Sequence, residues 1–83
     1  MADEMFLELL RRFSTQGRNV SEKPNAPTYA PAAFAKEADA KSQNLRKPDF
    51  EAAMRRLFAN NKLHVENYGR PSRPASKLAP GGP

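Results

Sequence analysis

FEAAMRRLFANNKLHVENY, residues 50 to 68, is the stretch that decides the fold. Phe50, Ala53, Met54, Leu57 and Phe58 recur at i, i+3, i+4, i+7 and i+8, the apolar face of one helix. Pro48 suits a first helical turn, where its missing N–H costs nothing, and Asp49 and Glu51 favour the positive end of the helix dipole. Asn60-Asn61 tolerates left-handed backbone and supplies a stop. These signals predict a helix over 48–60. The period then changes to two. Leu63, Val65 and Asn67 point one way and His64, Glu66 and Tyr68 the other, which is a strand. Gly69-Arg70-Pro71-Ser72-Arg73-Pro74 follows as a basic turn. The return strand is weaker: Ala75, Lys77 and Ala79 face one side, Ser76 and Leu78 the other, and Pro74 confines it to a sheet edge. A hairpin is predicted near 62–79.

Towards the N-terminus, Phe6, Leu9, Leu10 and Phe13 form a second helical stripe, widened by Met5. Asp3, Glu4 and Glu8 lie near its start and Arg11 and Arg12 near its end, the order the dipole favours, and Gly17 suits a left-handed cap. This helix is predicted over 3–15. Residues 18–30 carry two prolines and two asparagines and read as a loop, in which Val20 can pair briefly with the hairpin and Tyr29 is an apolar anchor. Pro31 opens a short helix over 31–38 around Phe34. Residues 39–46 read as a polar connection. The predicted core is Phe6, Leu9, Leu10, Phe13, Phe34, Phe50, Met54, Leu57, Phe58, Leu63 and Val65. Three helices plus a β-hairpin wing make a mainly α domain of winged helix-turn-helix type over residues 1–79, with 80–83 expected to be a disordered tail.

Eighty-three residues allow one small domain of marginal stability. The chain has no cysteine, which excludes a disulfide framework and a thiolate metal site. No apolar run approaches the roughly 20 residues of a membrane span, and the acidic start Met1-Ala2-Asp3-Glu4 is unlike a secretory signal, so a cytoplasmic protein is expected. His64 is the single histidine and has no second ligand at metal-binding spacing. Neither a nucleophile triad nor a phosphate loop is present. The expectation is a chain that is not an enzyme, holds no cofactor or metal, and takes no small-molecule substrate.

The net charge is +5, and its distribution points further. From Lys41 onward nine cations stand against Asp49, Glu51 and Glu66, a balance suited to a polyanion. Arg55 and Arg56 lie away from the apolar stripe, between Ala52 and Ala59, whose small side chains let a helix backbone approach a groove. Arg70, Arg73 and Lys77 stand on the wing, and Arg46 and Lys47 just before the third helix. These seven residues are the candidate DNA contacts, chiefly to the phosphates of duplex DNA. The competing interpretation is a solvated surface, with wing charges that keep a sheet edge soluble. A different function, docking on another protein, would need an exposed apolar patch, for which Leu78, Tyr68 and Tyr29 are the candidates.

Several segments together resemble the C-terminal segment of RecA-like ATPases of the RepA kind, encoded on plasmids, phages and prophage-like regions. They are GRNVS at 17–21, Tyr29-Ala30-Pro31 with Phe34-Ala35, AAMRRLF at 52–58, and the strand–Gly–Arg-Pro-Ser-Arg run ending at Arg73. The resemblance spans roughly residues 5–79. It implies a winged-helix-like tail of a helicase-type motor, separated from its ATPase domain. It also implies that this ATPase domain, DNA or a replication protein is the partner. A free-standing phage regulator is a further alternative. This chain has Arg46-Lys47-Pro48 where the family pattern places a small hydroxyl residue. Its second connection also exceeds the 3–4 residues of a simple helix-turn-helix.

Overall fold

The computed structural model describes residues 2–70 and 72–81, with the backbone alone for Arg70, Arg73 and Pro74. Four helices precede one hairpin: α1 (Ala2–Thr15), α2 (Ala30–Ala35), α3 (Ala38–Ser42), α4 (Lys47–Ala59), β1 (Leu63–Arg70) and β2 (Arg73–Pro80). The domain is mainly α with an antiparallel two-stranded sheet, as the periodicities predict.

Three helices stop in the same way. After α1 the Gly17 N–H donates to the Ser14 carbonyl at 3.1 Å and the Arg18 N–H to the Phe13 carbonyl at 2.8 Å. The equivalent bonds after α3 run from Asn44 to Lys41 and from Leu45 to Ala40. After α4 they run from Asn61 to Phe58 and from Lys62 to Leu57. Each is a Schellman closure, which requires a left-handed residue. Gly17 (φ 72°), Asn44 (φ 56°) and Asn61 (φ 56°) supply it. Asparagine is the side chain that best tolerates this region after glycine.

The predicted polar connection over 39–46 is therefore corrected. α2 ends at Ala35, earlier than predicted, and Ala38–Ser42 form a separate turn of helix, so the helices number four rather than three. The link from α3 to α4 is then only residues 43–46, within the usual length of a helix-turn-helix connection. α4 has no side-chain cap at Arg46. The Asp49 carboxylate accepts the Arg46 N–H at 2.8 Å, the return half of a capping box, and the Asp49 N–H donates to the Arg46 carbonyl at 3.0 Å.

The core lies where α1 and α2 pack on α4. Phe34 is its hub. Its ring meets Phe6 edge-on at 4.9 Å, Phe13 at 5.1 Å and Phe50 at 5.9 Å between centroids. These are the T-shaped contacts that the ring quadrupole favours. Of the predicted core, Met54 and Phe58 are partly buried and pack against the cluster. Val65 is a correction: it is 39% exposed. Its cross-strand partner Leu78, offered above as a surface residue, is 1% exposed. Both point to the same face, but β2 lies against α1 whereas β1 meets α4 and buries only Leu63 at its base. Met5, Val20, Tyr29, Ala30, Ala40, Ala53 and Ala79 are buried as well.

The hairpin is fastened at its base. The Leu78 N–H donates to the Val20 carbonyl at 2.8 Å, the short pairing anticipated for Val20. The Gly81 N–H donates to the Lys62 carbonyl at 2.8 Å, and His64 Nδ1 lies 2.8 Å from the Gly81 carbonyl. Of the expected tail over 80–83, Pro80 ends β2 and Gly81 bonds to the hairpin base, while residues 82 and 83 lie outside the described residues. Among the described residues no helix is long and apolar enough to cross a membrane.

Candidate nucleic-acid interface

The seven predicted contact residues have different fates. Arg46 and Lys47 come together with Lys41, from the last turn of α3, around a hollow of about 270 Å³. Asn44, Leu45 and Ala35 complete its lining, and no carboxylate is among them. Lys41 was not predicted as a contact residue. It joins Arg46 and Lys47 because the α3 helix and its left-handed Asn44 turn the chain back towards α4.

Lys47, Glu51 and Arg55 stand at i, i+4 and i+8, one stripe of α4. Tyr29 lies against this stripe. The Lys47 ammonium is 5.5 Å from the centroid of its ring, and the Tyr29 hydroxyl donates to Glu51 Oε2 at 2.7 Å. Burial first, then this hydrogen bond and the charge of Glu51, push the Tyr29 hydroxyl up to about 12, while the nearby Arg55 acts in the opposite direction. The central carboxylate of the stripe is thereby engaged by a tyrosine rather than by either cation. Arg55 is exposed and has no ion pair among the described residues.

Arg56, its neighbour in sequence, is turned to α1. Its guanidinium forks onto Asp3, with Nε at 3.0 and 3.1 Å from the two carboxylate oxygens. The fork holds the Asp3 carboxyl below its usual range, chiefly through hydrogen bonding, against a smaller opposing effect of burial. Arg56, expected as a second groove contact, is thus ion-paired, with its side chain 51% exposed. Residues 55 and 56 are 100° apart on the helix, and only the second reaches Asp3 of α1.

On the wing, the side chains of Arg70 and Arg73 lie outside the described residues. Lys77 is half-buried, 5.8 Å from the Tyr68 ring centroid. Its cross-strand partner Glu66 instead approaches His64 Nε2 at 3.3 Å. Of the three apolar docking candidates, Tyr29 and Leu78 are buried and only Tyr68 is exposed. A second, larger hollow of about 480 Å³ lies between the end of α1, the loop at 18–28 and α2, and it has mixed charge at its rim: Arg18, Lys36 and Glu37. Among the described residues no group of three or more histidine or acidic side chains could hold a metal ion. Protein-family models, curated proteins and solved structures, each compared with this chain, contain no match to it.

Proposed function

We propose that this domain binds DNA, mainly through its phosphates, with the outer face of α4 and the basic hollow at that helix's start. One observation carries the proposal. Lys41, Arg46 and Lys47 share a hollow with no carboxylate in its lining, while the acids of this half of the chain are occupied elsewhere. Asp49 accepts the Arg46 amide, Glu51 the Tyr29 hydroxyl, and Glu66 faces His64. Arg55 extends the basic stripe about 12 Å along the axis from Lys47, at 1.5 Å per residue. Ammonium and guanidinium groups so spaced suit successive backbone phosphates. They do not form the paired forks that read base edges. The segments resembling RepA-kind ATPases support an accessory role beside a replication or mobile-element motor, whose ATPase domain would be the protein partner.

The test is a titration of fluorescently labelled duplex DNA at several salt concentrations. Four neutralised phosphates give a slope of about −3.6 in log K against log salt. The double variant Arg46→Ala, Lys47→Ala should bind more weakly with a slope shallower by about 2. An affinity indifferent to salt, or unchanged in this variant, would remove the basis of the proposal.

A further inference from the structure

The hairpin has two long edges, and they are finished differently. The Leu78 N–H donates to Val20, so it points away from β1. In an antiparallel ladder this orientation alternates, and Pro74, Ser76 and Pro80 also direct their backbone nitrogens outward from β2. Two of these four are prolines with no N–H, and a third N–H is taken by Val20. The outer edge of β2 is therefore nearly without free donors, a known protection against pairing.

β1 has no such protection. The register pairs Val65 with Leu78, Asn67 with Ser76 and Gly69 with Pro74, so residues 65, 67 and 69 turn their N–H and carbonyl groups outward. All three are exposed, whereas Leu63 at the base is buried. No backbone partner meets their outer side among the described residues. The exposed large hydrophobic residues, Val65 at 39% and Tyr68 at 42%, both belong to this stretch. They sit on opposite faces of the sheet. A flat protein surface covers one face, but a strand added at the edge lies beside both.

We infer that the outer edge of β1 pairs antiparallel with the same strand of a second copy of this chain, about a two-fold axis at Asn67. A symmetric register can be centred on any residue of this edge, but centring on Tyr68 pairs only Asn67 with Gly69 within the exposed stretch and leaves Val65 without a partner there. Centring on Val65 requires the buried Leu63, and centring on Glu66 sets two carboxylates directly opposite each other. Centring on Asn67 uses only the exposed residues. It bonds Asn67 to its own copy and Val65 to Gly69 of the second chain, where the missing side chain leaves room for the valine methyls. It also brings each Glu66 carboxylate opposite a Tyr68 hydroxyl at a non-hydrogen-bonded pair, where side chains approach most closely. The contact is smaller than a standard interface, so the dimer is weak, with a dissociation constant on the order of 10⁻⁴ M. This inference goes beyond the proposed DNA binding and does not rest on it.

Sedimentation equilibrium of the full chain, from about 10 µM to about 1 mM, tests it. Position 67 faces itself only in this register. Asn67→Lys and Asn67→Asp should each weaken self-association by up to about fivefold, and an equimolar mixture of the two should restore it. Asn67→Pro removes an outward donor while sparing the β1–β2 ladder, and should weaken association about tenfold or more. Circular dichroism checks that each variant folds. A monomer at every concentration, a dimer insensitive to position 67, or a mixture no stronger than its components would each overturn the inference. A foreign strand that binds the edge while the chain stays monomeric would overturn it too.

Discussion

Phe34 and Tyr68 show how differently the two parts of this domain are held. Phe34, on a helix of only six residues, touches three other phenylalanine rings and is fully buried. Tyr68, on an eight-residue strand, is 42% exposed and has a lysine for a neighbour. The helical body is held by side-chain packing. Beyond its base at Leu63, Leu78 and Val20, the hairpin is held mostly by its own ladder. Regular backbone geometry and stabilising burial are thus separable here. The longer element contributes less core than the shorter one.

The largest effect that separates the two parts is expected for Phe34→Ala, which should cost about 3–5 kcal/mol and leave little or no folded protein in a urea titration. Leu78→Ala comes next, at about 2–3 kcal/mol, because it removes the side chain that seats the hairpin on the body. Its cross-strand partner should behave quite differently: equal losses in Leu78→Ala and Val65→Ala would break the distinction between base and outer strand.

Tyr29 gives a pH-based contrast. Its folded ionisation is raised to about 12 from an ordinary value near 10. Its contribution is fully present below about pH 10 and is lost as pH rises towards 12. Absorbance titration of the Tyr68→Phe variant isolates this group, and ionisation near pH 10 in the folded protein would contradict the burial described. Asp3 shifts in the opposite direction. Its carboxyl is depressed by Arg56, so the stability it adds is present above its unfolded value and lost as pH falls through the lower folded one. Asp3→Asn should flatten the acid limb of the stability curve, measured by urea midpoints at successive pH values. The smallest effects belong to the outer hairpin, where Val65→Ala and Tyr68→Ala should each change stability by less than about 0.5 kcal/mol.

Periodicity revealed what depends on a single element. The stripes of α1 and α4, the change of period at Asn60-Asn61 and the stop at Gly17 all appear within short windows of sequence. α3 did not, because ADAKS buries only Ala40 and has no stripe; its sole local sign is Asn44 in the left-handed region. Alternation identified the faces of the hairpin but not which strand lies over α1, so Val65 was expected inside and Leu78 outside. In the candidate interface, Arg46, Lys47 and Arg55 were legible as exposed cations. The Asp3 partner of Arg56 was not, since the two lie 53 positions apart and no local pattern links them. The same applies to Tyr29 and Glu51, 22 positions apart.

The Arg56–Asp3 fork also sets how much positive charge α4 can offer. While it is closed, one of the helix's two adjacent guanidinium groups is spent on the N-terminal turn of α1. Protonating Asp3, or replacing it with asparagine, would unmask that group and add a unit of positive charge to the body. The first turn of α1 therefore carries a counter-charge to α4, and under the proposed phosphate binding the loss of that carboxylate would tighten the complex even as it loosens the fold.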